Sequence, residues 1–403
     1  MFFLAWRNLS RQWVRSGMTL AAIAFGVAGL ILTGGFIRDV YHQLAEALIH
    51  SQTGHFQVAR DGYFRLGTQA PEKYLIKDPE AMVLQLRALP QVVEAMARLD
   101  FSGLLNNGET DISVLIEGVE PVREARLNSY LRILEGKTLE AGTPRTILLG
   151  KGVAERLKLK PGDSVTLMTN TPEGALNTIE LTVAGVFLSF AKDYDDRAVR
   201  ISLPDAQELL TVVGATRLVA LLQERTQTDA VIANAQQALA GQGMEINSWI
   251  QLNDFYSKTV EMYDSQFGVL KIVILLMVML SVSNAVNMSI FERTGEFGTM
   301  RALGNHSRQV TRLVILENTL LGASGALAGV VLGVLLALLI SWIGIEMPPP
   351  PNMSQGYIGA IRLAPDILIS AFGIGVVATF LACVWPAFKV SRTPIVDALR
   401  QNV

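Results

Sequence analysis

Four long stretches of the 403-residue chain contain no Asp, Glu, Lys or Arg, and they limit its fold more than any other feature. They cover residues 16–37, 272–291, 318–345 and 367–388, which are 22, 20, 28 and 22 residues long. A helix rises about 1.5 Å per residue, so about 20 apolar residues cross the roughly 30 Å hydrocarbon layer of a bilayer. The pattern predicts four membrane-spanning helices and disfavours the alternative, four buried helices of a soluble protein.

Charged residues are scarce overall, which agrees with a membrane protein. They make up 17% of the chain, whereas a soluble domain carries about 25%. The formal net charge of −2 points to no particular class of partner. The only cysteine, Cys383, lies inside the fourth apolar run, so the chain cannot form an internal disulfide.

The apolar runs divide the chain into segments. We predict an α-helical membrane protein with four transmembrane helices and an inserted mixed α/β extracytoplasmic domain. The segments are a cytoplasmic N-terminal segment 1–15, transmembrane helices 16–38, 267–291, 313–345 and 367–388, an extracytoplasmic domain with helical stalks 39–264, a cytoplasmic coupling loop 292–312, a proline-rich outer loop 346–366 and a cytoplasmic tail 389–403. A cleaved signal peptide is the alternative for the first run, but its apolar stretch exceeds the usual 7–15 residues and no clear cleavage site follows.

Basic residues predict the orientation, because Lys and Arg beside membrane helices tend to stay in the cytoplasm. They precede the first span, occupy the loop between the second and third spans, and follow the fourth span. These residues are Arg7, Arg11, Arg15, Arg293, Arg301, Arg308, Arg312, Lys389, Arg392 and Arg400. Between the third and fourth spans the only basic residue is Arg362. We therefore expect both termini and the 292–312 loop inside, and the 39–264 domain outside.

The segment between the first two spans mixes helical and strand patterns. Val40, Leu44 and Leu48 keep helical spacing after the first span, which predicts that this helix continues as a stalk. Strands are predicted for GHFQVAR, DISVLIEGVE, TILLG, DSVTLMT, IELTVAGVFLS and RAVRISL. Helices are predicted for DPEAMVLQLRAL, DAVIANAQQALAG and LNDFYSKTVEMYDSQFG, the last of which leads into the second span.

The sequence contains no arrangement typical of a catalytic or metal site. LEGKT, residues 134–138, lacks the first glycine of a phosphate-binding loop. His42, His50 and His55 fit no zinc-binding spacing, and DYDDR, residues 193–197, lacks the later acid and glycine of a calcium loop. We expect no catalytic residue, no metal and no nucleic-acid partner for this chain.

Small residues recur every four positions in the third span, at Gly325, Gly329 and Gly333. This spacing lets two helices approach closely. Two partners fit the pattern equally well, a helix of the same chain and a helix of a second subunit.

The stretch ERTGEFGTMRALG, residues 292–304, is charged and contains several glycines, although it lies between two apolar spans. We predict a short amphipathic helix at the inner membrane face that another protein grips; an ordinary solvated loop is the alternative. The apolar residues expected to fill a groove on that protein are Phe297, Met300 and Leu303. The charged residues expected to fix the register, where electrostatics give specificity, are Glu292, Glu296 and Arg301.

This stretch and its flanks, FERTGEFGTMRALGNHSRQV, closely resemble the coupling segment of the ABC transporter permease superfamily that includes FtsX, MacB and the LolC–LolE permeases. The matching residues are Glu292, Arg293, Glu296, Gly298, Arg301, Ala302, Leu303 and Gly304. The C-terminal WPAFKVSRTPIVDALR resembles the terminal signature of the same family, which usually has more basic residues after its first proline. The matching residues are Pro386, Ala387, Pro394, Asp397, Ala398, Leu399 and Arg400.

The outer segment is similar to the extracytoplasmic core domain of MacB and the lipoprotein-releasing permeases. The similar stretches are GHFQV, GKTLEAG, ILLGKGVAERLKLKPGDSVTL and VAGVFLSFAKDYDDRAVRISLPDAQELL. Together the resemblances cover nearly the whole chain in the expected order.

The resemblance implies a permease of the bacterial inner membrane that works as a pair of identical or paralogous subunits with two copies of an ABC ATPase. ATP and magnesium would bind that ATPase, which is expected on a separate polypeptide because only 15 residues precede the first span. A periplasmic carrier or adaptor and membrane lipid are further partners. Extraction or export of lipoproteins or lipid-like molecules is favoured over export of peptides or small amphiphiles, and over mechanical regulation of a cell-wall hydrolase.

Overall fold

The computed structural model describes residues 13–67, 70–127, 130–349, 356–391 and 394. The described parts of Met1–His42, Thr259–Glu346 and Ile358–Val403 form one compact unit, here called the helical unit. Gln43–Lys258 and the described parts of Met347–Tyr357 form a second unit, here called the core domain.

The described chain begins with helix α1, Trp13–Leu48, and continues into a π-helical turn, Ile49–Thr53. The helix therefore extends beyond the first charge-free run, as its apolar spacing predicts. Gly54 ends the turn with φ +64°, a conformation that residues with a Cβ rarely adopt. A Cβ at this position would also lie 2.7 Å from the carbonyl oxygen of Ala220. Glycine is therefore required where α1 meets the first strand.

The described part of the core domain contains ten strands and seven further helices. The strands are β1 (Phe56–Arg60), β2 (Val92–Asn106), β3 (Asp111–Val119), β4 (Arg132–Gly136), β5 (Thr146–Gly150), β6 (Ser164–Asn170), β7 (Leu176–Leu188), β8 (Ala198–Ser202), β9 (Arg217–Leu222) and β10 (Met244–Ser248). The helices are α2 (Tyr63–Leu66), α3 (Pro79–Arg87), α4 (Pro121–Leu127), α5 (Lys151–Leu157), α6 (Lys192–Asp195), α7 (Leu203–Leu210) and α8 (Thr228–Ala238), with 3₁₀ turns at Pro71–Tyr74 and Arg225–Gln227. The predicted mixed α/β domain is confirmed, whereas strands β2, β4, β9 and β10 were not predicted.

Strand β2 joins two halves of the sheet. The strand order is β10-β1-β9-β2-β3-β8-β5-β7-β4, and β6 pairs with both β2 and β7. Residues 92–98 of β2 pair with β9, whereas residues 99–106 pair with β3. The partner strand changes between Arg98 and Leu99, so the side chains near this point lie where the two halves meet.

Alternating side chains build the core of the domain. Val165 and Leu167 on β6 and Ile179 and Leu181 on β7 are buried, and β6 pairs antiparallel with β7. Burying one such aliphatic side chain stabilises a fold by about 1.5–3 kcal/mol. The alternation of apolar and polar residues in these sequences therefore corresponds to side chains that point in turn to the core and to the surface.

The remaining elements are α9 (Asp254–Glu292), α10 (Thr294–Ala302), α11 (Ser307–Ile343), β11 (Ile345–Met347), β12 (Tyr357–Gly359) and α12 (Pro365–Ser391). Within the described residues four helices, namely α1, α9, α11 and α12, are long and apolar enough to cross a membrane. Helix α11 ends two residues before the end of the expected 313–345 segment, because Gly344 adopts φ +71° and β11 begins at Ile345. Helix α12 runs past residue 388 to Ser391.

The glycines of the third apolar helix pack against α1 of the same chain. A Cβ on Gly329 would lie 2.7 Å from the Ala24 carbonyl oxygen, and one on Gly333 would lie 3.2 Å from the Ala28 Cα. A Cβ on Gly325 would lie 3.1 Å from the Ile23 Cβ. Helix α1 therefore occupies the glycine face, and the alternative of a second-subunit helix on this face is wrong.

Candidate functional site

The π-helical turn at the end of α1 is held by side chains from three strands. The last carbonyl groups of a helix lack partners within it. Here the Ser51 carbonyl accepts a hydrogen bond from Arg200 Nη2 (3.1 Å) and the Gln52 carbonyl accepts one from Arg98 Nη1 (2.6 Å). The Thr53 carbonyl accepts a third bond, from Gln57 Nε2 (2.9 Å). We call these three carbonyls and three side chains the joint.

The two arginines of the joint come from different halves of the sheet. Arg98 is the last residue of β2 that pairs with β9, and Arg200 lies on β8 in the other half. Their residues are 0% and 1% exposed. Positive charge at a helix C-terminus is favourable because the carbonyl dipoles point there. The joint therefore connects the end of α1 to both halves of the sheet.

The two arginines of the joint belong to a cluster of six buried or half-buried charges. Arg98 pairs with Glu124, Arg200 Nε lies 3.0 Å from Glu117 Oε2, and Arg217 Nη2 lies 3.2 Å from Glu117 Oε1. Arg217 also pairs with Asp100. Three guanidinium groups thus face three carboxylates, so the cluster carries no formal net charge. Buried ion pairs persist only with such geometry, because taking each ion out of water is costly.

Glu117 stays ionised at the centre of this cluster. Burial favours its neutral form, but the nearby charges of Arg98, Arg200 and Arg217 outweigh burial and lower the pKa of Glu117 to about 2. The Tyr194 hydroxyl donates to Glu117 Oε2 at 2.6 Å, and burial raises the pKa of this tyrosine. These groups have no titration near neutral pH, which suits a rigid connection better than proton transfer.

No residue of this cluster was predicted from the sequence as a site residue. A lone arginine inside an apolar strand was the available signal, since Arg98 follows Ala95, Met96 and Ala97 in β2. Such a residue must find a carboxylate or a carbonyl when its strand is buried. The partners come from residues as far apart as 52 and 124, so the pattern alone could not name them.

The coupling segment forms a short helix between two long ones. Helix α10 begins after Arg293, whose Nε donates to Glu296 Oε2 and whose Nη1 donates to Glu317 Oε1, both at 2.9 Å. The helix ends at Ala302, and Gly304, two residues later, adopts φ +99°. The predicted short helix is present, with Thr294–Ala302 as its bounds.

Phe297 does not lie on the outer surface of this helix. It is 3% exposed and packs in one cluster with Val310, Val314 and Ala387. The expectation that its side chain fills a groove on another protein is wrong, because α11 and α12 already cover it. Ala387 belongs to the predicted C-terminal signature, so the structure brings the two predicted motifs together at this contact.

The exposed side of the coupling segment carries a different set of residues. Glu292 at the end of α9, Glu296 and Thr299 on α10 and Leu303 directly after α10 are exposed. Leu303 is 82% exposed. Thr299 was not predicted, whereas Glu292, Glu296 and Leu303 were. We call these four residues the outer stripe.

The other predicted residues of both motifs divide between core and surface. In the coupling segment Gly298 is buried, Met300 and Arg301 are half-buried, and Ala302 is exposed. Pro386 lies inside α12, and Pro394 is exposed. The remaining signature residues, Asp397, Ala398, Leu399 and Arg400, lie outside the described residues. Among the described residues, no group of three or more His, Cys, Asp or Glu side chains is placed to hold a metal ion.

Comparison with known proteins matches two family models to the chain. The MacB-like periplasmic core domain matches residues 16–238, and the FtsX-like permease C-terminal domain matches residues 268–395. The lipoprotein-releasing system transmembrane protein LolC of Xylella fastidiosa is 23% identical, and the match covers 95% of this chain and 92% of LolC. LolE of Haemophilus influenzae is 22% identical and covers 97% of both chains.

A third relative has a different length. The macrolide export ATP-binding/permease protein MacB of Rhodospirillum rubrum is 25% identical, and the match covers 91% of this chain but 60% of that protein. One of the two family models covers more than half of the chain, and both agree with the four apolar helices and the inserted α/β domain. The chain therefore belongs to the family of multi-pass ABC transporter permeases that join a MacB-like periplasmic core domain to an FtsX-like C-terminal region.

Proposed function

We propose that this permease converts ATP hydrolysis in a separate ATPase into motion of its core domain, which extracts or exports lipoproteins or lipid-like molecules. The observation that carries the proposal is the outer stripe, Glu292, Glu296, Thr299 and Leu303. An 82% exposed leucine in the same short segment as two exposed carboxylates suits a protein partner better than solvent. In the relatives named above, LolC and LolE belong to a lipoprotein-releasing system and MacB is an ATP-binding permease.

Docking on this stripe would couple the partner to the helical unit. Phe297 fixes α10 to α11 and α12 from the inside, so a force applied to the outer stripe moves these helices rather than bending α10 alone. The ion pair between Arg293 and Glu317 adds a second connection to α11. Transmission of this kind needs packed elements with discrete arrangements.

The long helices would carry the displacement to the core domain. Helix α9 runs without interruption from Asp254 to Glu292, directly before α10. Helix α1 ends in the joint, where Arg98 and Arg200 bind its last carbonyls. A displacement of α1 along its axis would therefore reach both halves of the sheet at once.

The proposal includes an orientation and a set of partners. Both termini and the coupling loop would lie in the cytoplasm of a cell with the permease in its inner membrane, and the core domain would lie outside. Two ATPase copies would bind ATP and magnesium, and a second permease, identical or paralogous, would complete the complex. A periplasmic carrier or adaptor would receive the cargo. The basic residues that flank the apolar helices support this orientation.

The test is purification of the complex from native membranes, followed by mass spectrometry of its subunits and measurement of ATP turnover. Leu303→Glu should remove the ATPase from the complex, because it places a charge at the apolar contact. Leu176→Glu is the matched control, since Leu176 is 67% exposed on β7 of the core domain. Equal ATPase recovery with both variants would contradict the proposed docking face.

Two further variants probe the same segment. Glu296→Lys reverses a charge of the outer stripe, and Gly298→Pro interrupts α10 from within. Both should abolish substrate-dependent ATP turnover while the chain still inserts into the membrane. Unchanged turnover in either variant would argue against a coupling role for this helix.

Export of a peptide or small amphiphile is a second candidate function. The 25% identity to a macrolide export protein favours it. Mass spectrometry of the molecules that purify with the complex separates the two candidates. Acylated proteins would support lipoprotein extraction, whereas small amphiphiles without a protein part would support export.

A further inference from the structure

Helix α9 packs within the helical unit through one narrow side. Among its described residues only Val278, Val282 and Val286 are buried, and they belong to the cluster that includes Ile23 of α1. Successive residues of a helix are rotated by about 100°, so the three valines share one face. The rest of residues 273–291 is exposed or half-exposed. This span therefore offers most of its surface to something outside the helical unit.

A regular repeat runs along the opposite face of α9. Its members are spaced alternately by four and three residues, the pattern by which two helices pack side by side. They are Val273, Met277, Leu280, Asn284, Asn287 and Phe291, of which Asn287 is half-exposed and the others are exposed. At about 100° per residue this row lies about 180° from the three valines. We call the six residues the seam.

Asn284 and Asn287 place two amide groups on the seam, inside an apolar span. Neither side chain forms a hydrogen bond with another described residue. By contrast, Ser324, which is exposed on α11, donates to the Leu320 carbonyl of its own helix at 2.9 Å. An amide without a partner in hydrocarbon is costly. The exposed Asn284 therefore needs a hydrogen-bonding partner that lipid chains cannot supply.

The outward face of α11 shows what a lipid-covered surface looks like. Its large exposed residues include Leu327, Val331, Leu335 and Leu338, which are all apolar. Hydrocarbon chains can cover such a face without loss of a hydrogen bond, and they give two such faces no hydrophobic reason to associate. The two amides distinguish the seam from a surface of this kind.

The seam is complementary to itself. An amide side chain carries both a donor and an acceptor, and the seam contains no charged residue that would repel its copy. Two copies of one chain with the same orientation in a membrane have parallel α9 helices. A two-fold axis between them brings each seam residue close to its own counterpart. An asparagine in an otherwise apolar seam then fixes the register of the two helices.

We propose that two copies of this chain pair along the α9 seam, where their Asn284 side chains hydrogen-bond to each other across the two-fold axis. The inference rests on the proposed function, which includes a second permease, and it names that permease and the surface that it binds. Helix α9 ends at Glu292, directly before α10. The paired helices therefore connect the coupling segments of the two copies.

Cysteine cross-linking of the full chain in native membranes tests the pairing. Two differently tagged forms are co-expressed, each with Cys383→Ser to remove the only native cysteine. Leu280→Cys, at a seam position that is 68% exposed, should give an oxidised dimer that contains both tags. Leu335→Cys is the matched control, because Leu335 is 60% exposed on α11, and its yield should be at least tenfold lower.

Two outcomes of the cross-linking would overturn the proposal. One is an equal yield of dimer at the two positions, which would indicate random collision in the membrane. The other is a cross-link from Leu280→Cys to a different polypeptide, which would assign the seam to a paralogue or another protein.

Substitution of Asn284 measures the contribution of its amide. Energy transfer between labelled copies of the full chain in liposomes gives the dissociation constant of the dimer. Asn284→Leu should raise this constant about fivefold, as expected for the loss of hydrogen bonds between membrane helices, whereas Asn284→Gln keeps the amide and should recover part of the affinity. Asn318→Leu is the control, because Asn318 Nδ2 already donates to the Val314 carbonyl at 2.8 Å. An unchanged constant in Asn284→Leu would overturn the proposed contact.

A water-filled path along the seam is the competing explanation for the two amides. A membrane-impermeant methanethiosulfonate reagent, added to either side of the membrane, should react slowly with Asn284→Cys when another helix covers it. Rapid reaction, together with no cross-link from Leu280→Cys, would place water on the seam and overturn the pairing.

The pairing and the docking of the ATPase can fail independently. Leu303→Glu, which should remove the ATPase from the complex, should leave the Leu280→Cys cross-link unchanged. Loss of the cross-link with normal ATPase recovery would contradict the paired seam alone. Equal ATPase recovery in Leu303→Glu and its control, with the cross-link intact, would contradict the docking face alone.

Discussion

The joint and the coupling segment both use arginine ion pairs, but in opposite surroundings. Arg98 is 0% exposed and its neighbours belong to a cluster of balanced charge. The Arg293 side chain is 14% exposed, and one of its two carboxylate partners, that of Glu296, is 49% exposed. The two arginines of the joint are buried, whereas the coupling segment keeps one exposed face. The buried joint suits a rigid connection inside the chain, and the exposed coupling segment suits a docking surface for another protein.

The largest effect is expected from a substitution that breaks the joint. Arg98→Met removes the bond to the Gln52 carbonyl and the pair with Glu124, so it should destabilise the core domain by about 3–5 kcal/mol. Hydrogen exchange of peptides over residues 43–53 in the full chain measures the loss. Arg145→Met is the control, because the Arg145–Glu208 pair is 48% and 61% exposed and should contribute about 1 kcal/mol or less. Similar losses in both variants would contradict the rigid joint.

The next largest effect is expected from a pair of substitutions that compares the buried and exposed sides of the coupling segment. Phe297→Ala empties a buried site between three helices and should cost about 3 kcal/mol of stability. Leu303→Ala changes an exposed residue and should alter stability by about 0.5 kcal/mol or less, yet it should weaken ATPase binding. Thermal unfolding and ATPase co-purification measure the two effects. A large stability loss in Leu303→Ala would mean that the outer stripe packs within the chain.

Acid should weaken the core domain through His55. Burial, and then the charge of nearby His50, lower the pKa of His55 from 6.5 to about 4. Its Nδ1 accepts a hydrogen bond from the Leu222 amide at 3.1 Å, which requires an unprotonated nitrogen. Between pH 6.5 and 4 the unfolded chain binds a proton that the folded chain does not, so stability falls as pH falls through this window.

The size of this effect follows from the shift in pKa. A difference of 1 in pKa corresponds to 1.36 kcal/mol. The free energy of unfolding should therefore fall by about 3 kcal/mol as the pH falls from 6.5 to 4. Hydrogen exchange of β9 peptides across this range measures it. His55→Asn should flatten the profile, whereas His306→Asn, which replaces an exposed histidine before α11, should not. An unchanged profile in His55→Asn would contradict the assignment.

The smallest effect tests the packing of the helical unit. Gly329→Ala places a methyl group 2.7 Å from the Ala24 carbonyl oxygen, and such overpacking costs about 1–3 kcal/mol. Gly373→Ala is the control in α12, because no atom of the described residues outside the adjoining backbone of that helix lies within 4 Å of its added Cβ. Alanine favours a helix over glycine, so the control should be neutral or stabilising in thermal unfolding. A neutral Gly329→Ala would contradict the close contact with α1.

The sequence by itself determined the elements that depend on local patterns. Charge-free runs of about 20 residues allow few structures other than a membrane helix, since an unpaired backbone group in lipid is costly. Alternating stretches such as DSVTLMT specified strands because one face of a sheet is buried. The ordered motifs predicted the permease family, and the family models agree with that prediction.

Tertiary structure decided which sides of these elements are covered. Helical spacing grouped Phe297 with Leu303, but α11 and α12 bury the first and leave the second 82% exposed. The partner of the glycine ladder was open in the sequence and proved to be α1. The joint depends on Gln52, Arg98, Glu124 and Arg200, which only the fold brings together. Periodicity fixes the direction of a side chain relative to its own element, whereas the covering of that side chain depends on residues distant in sequence.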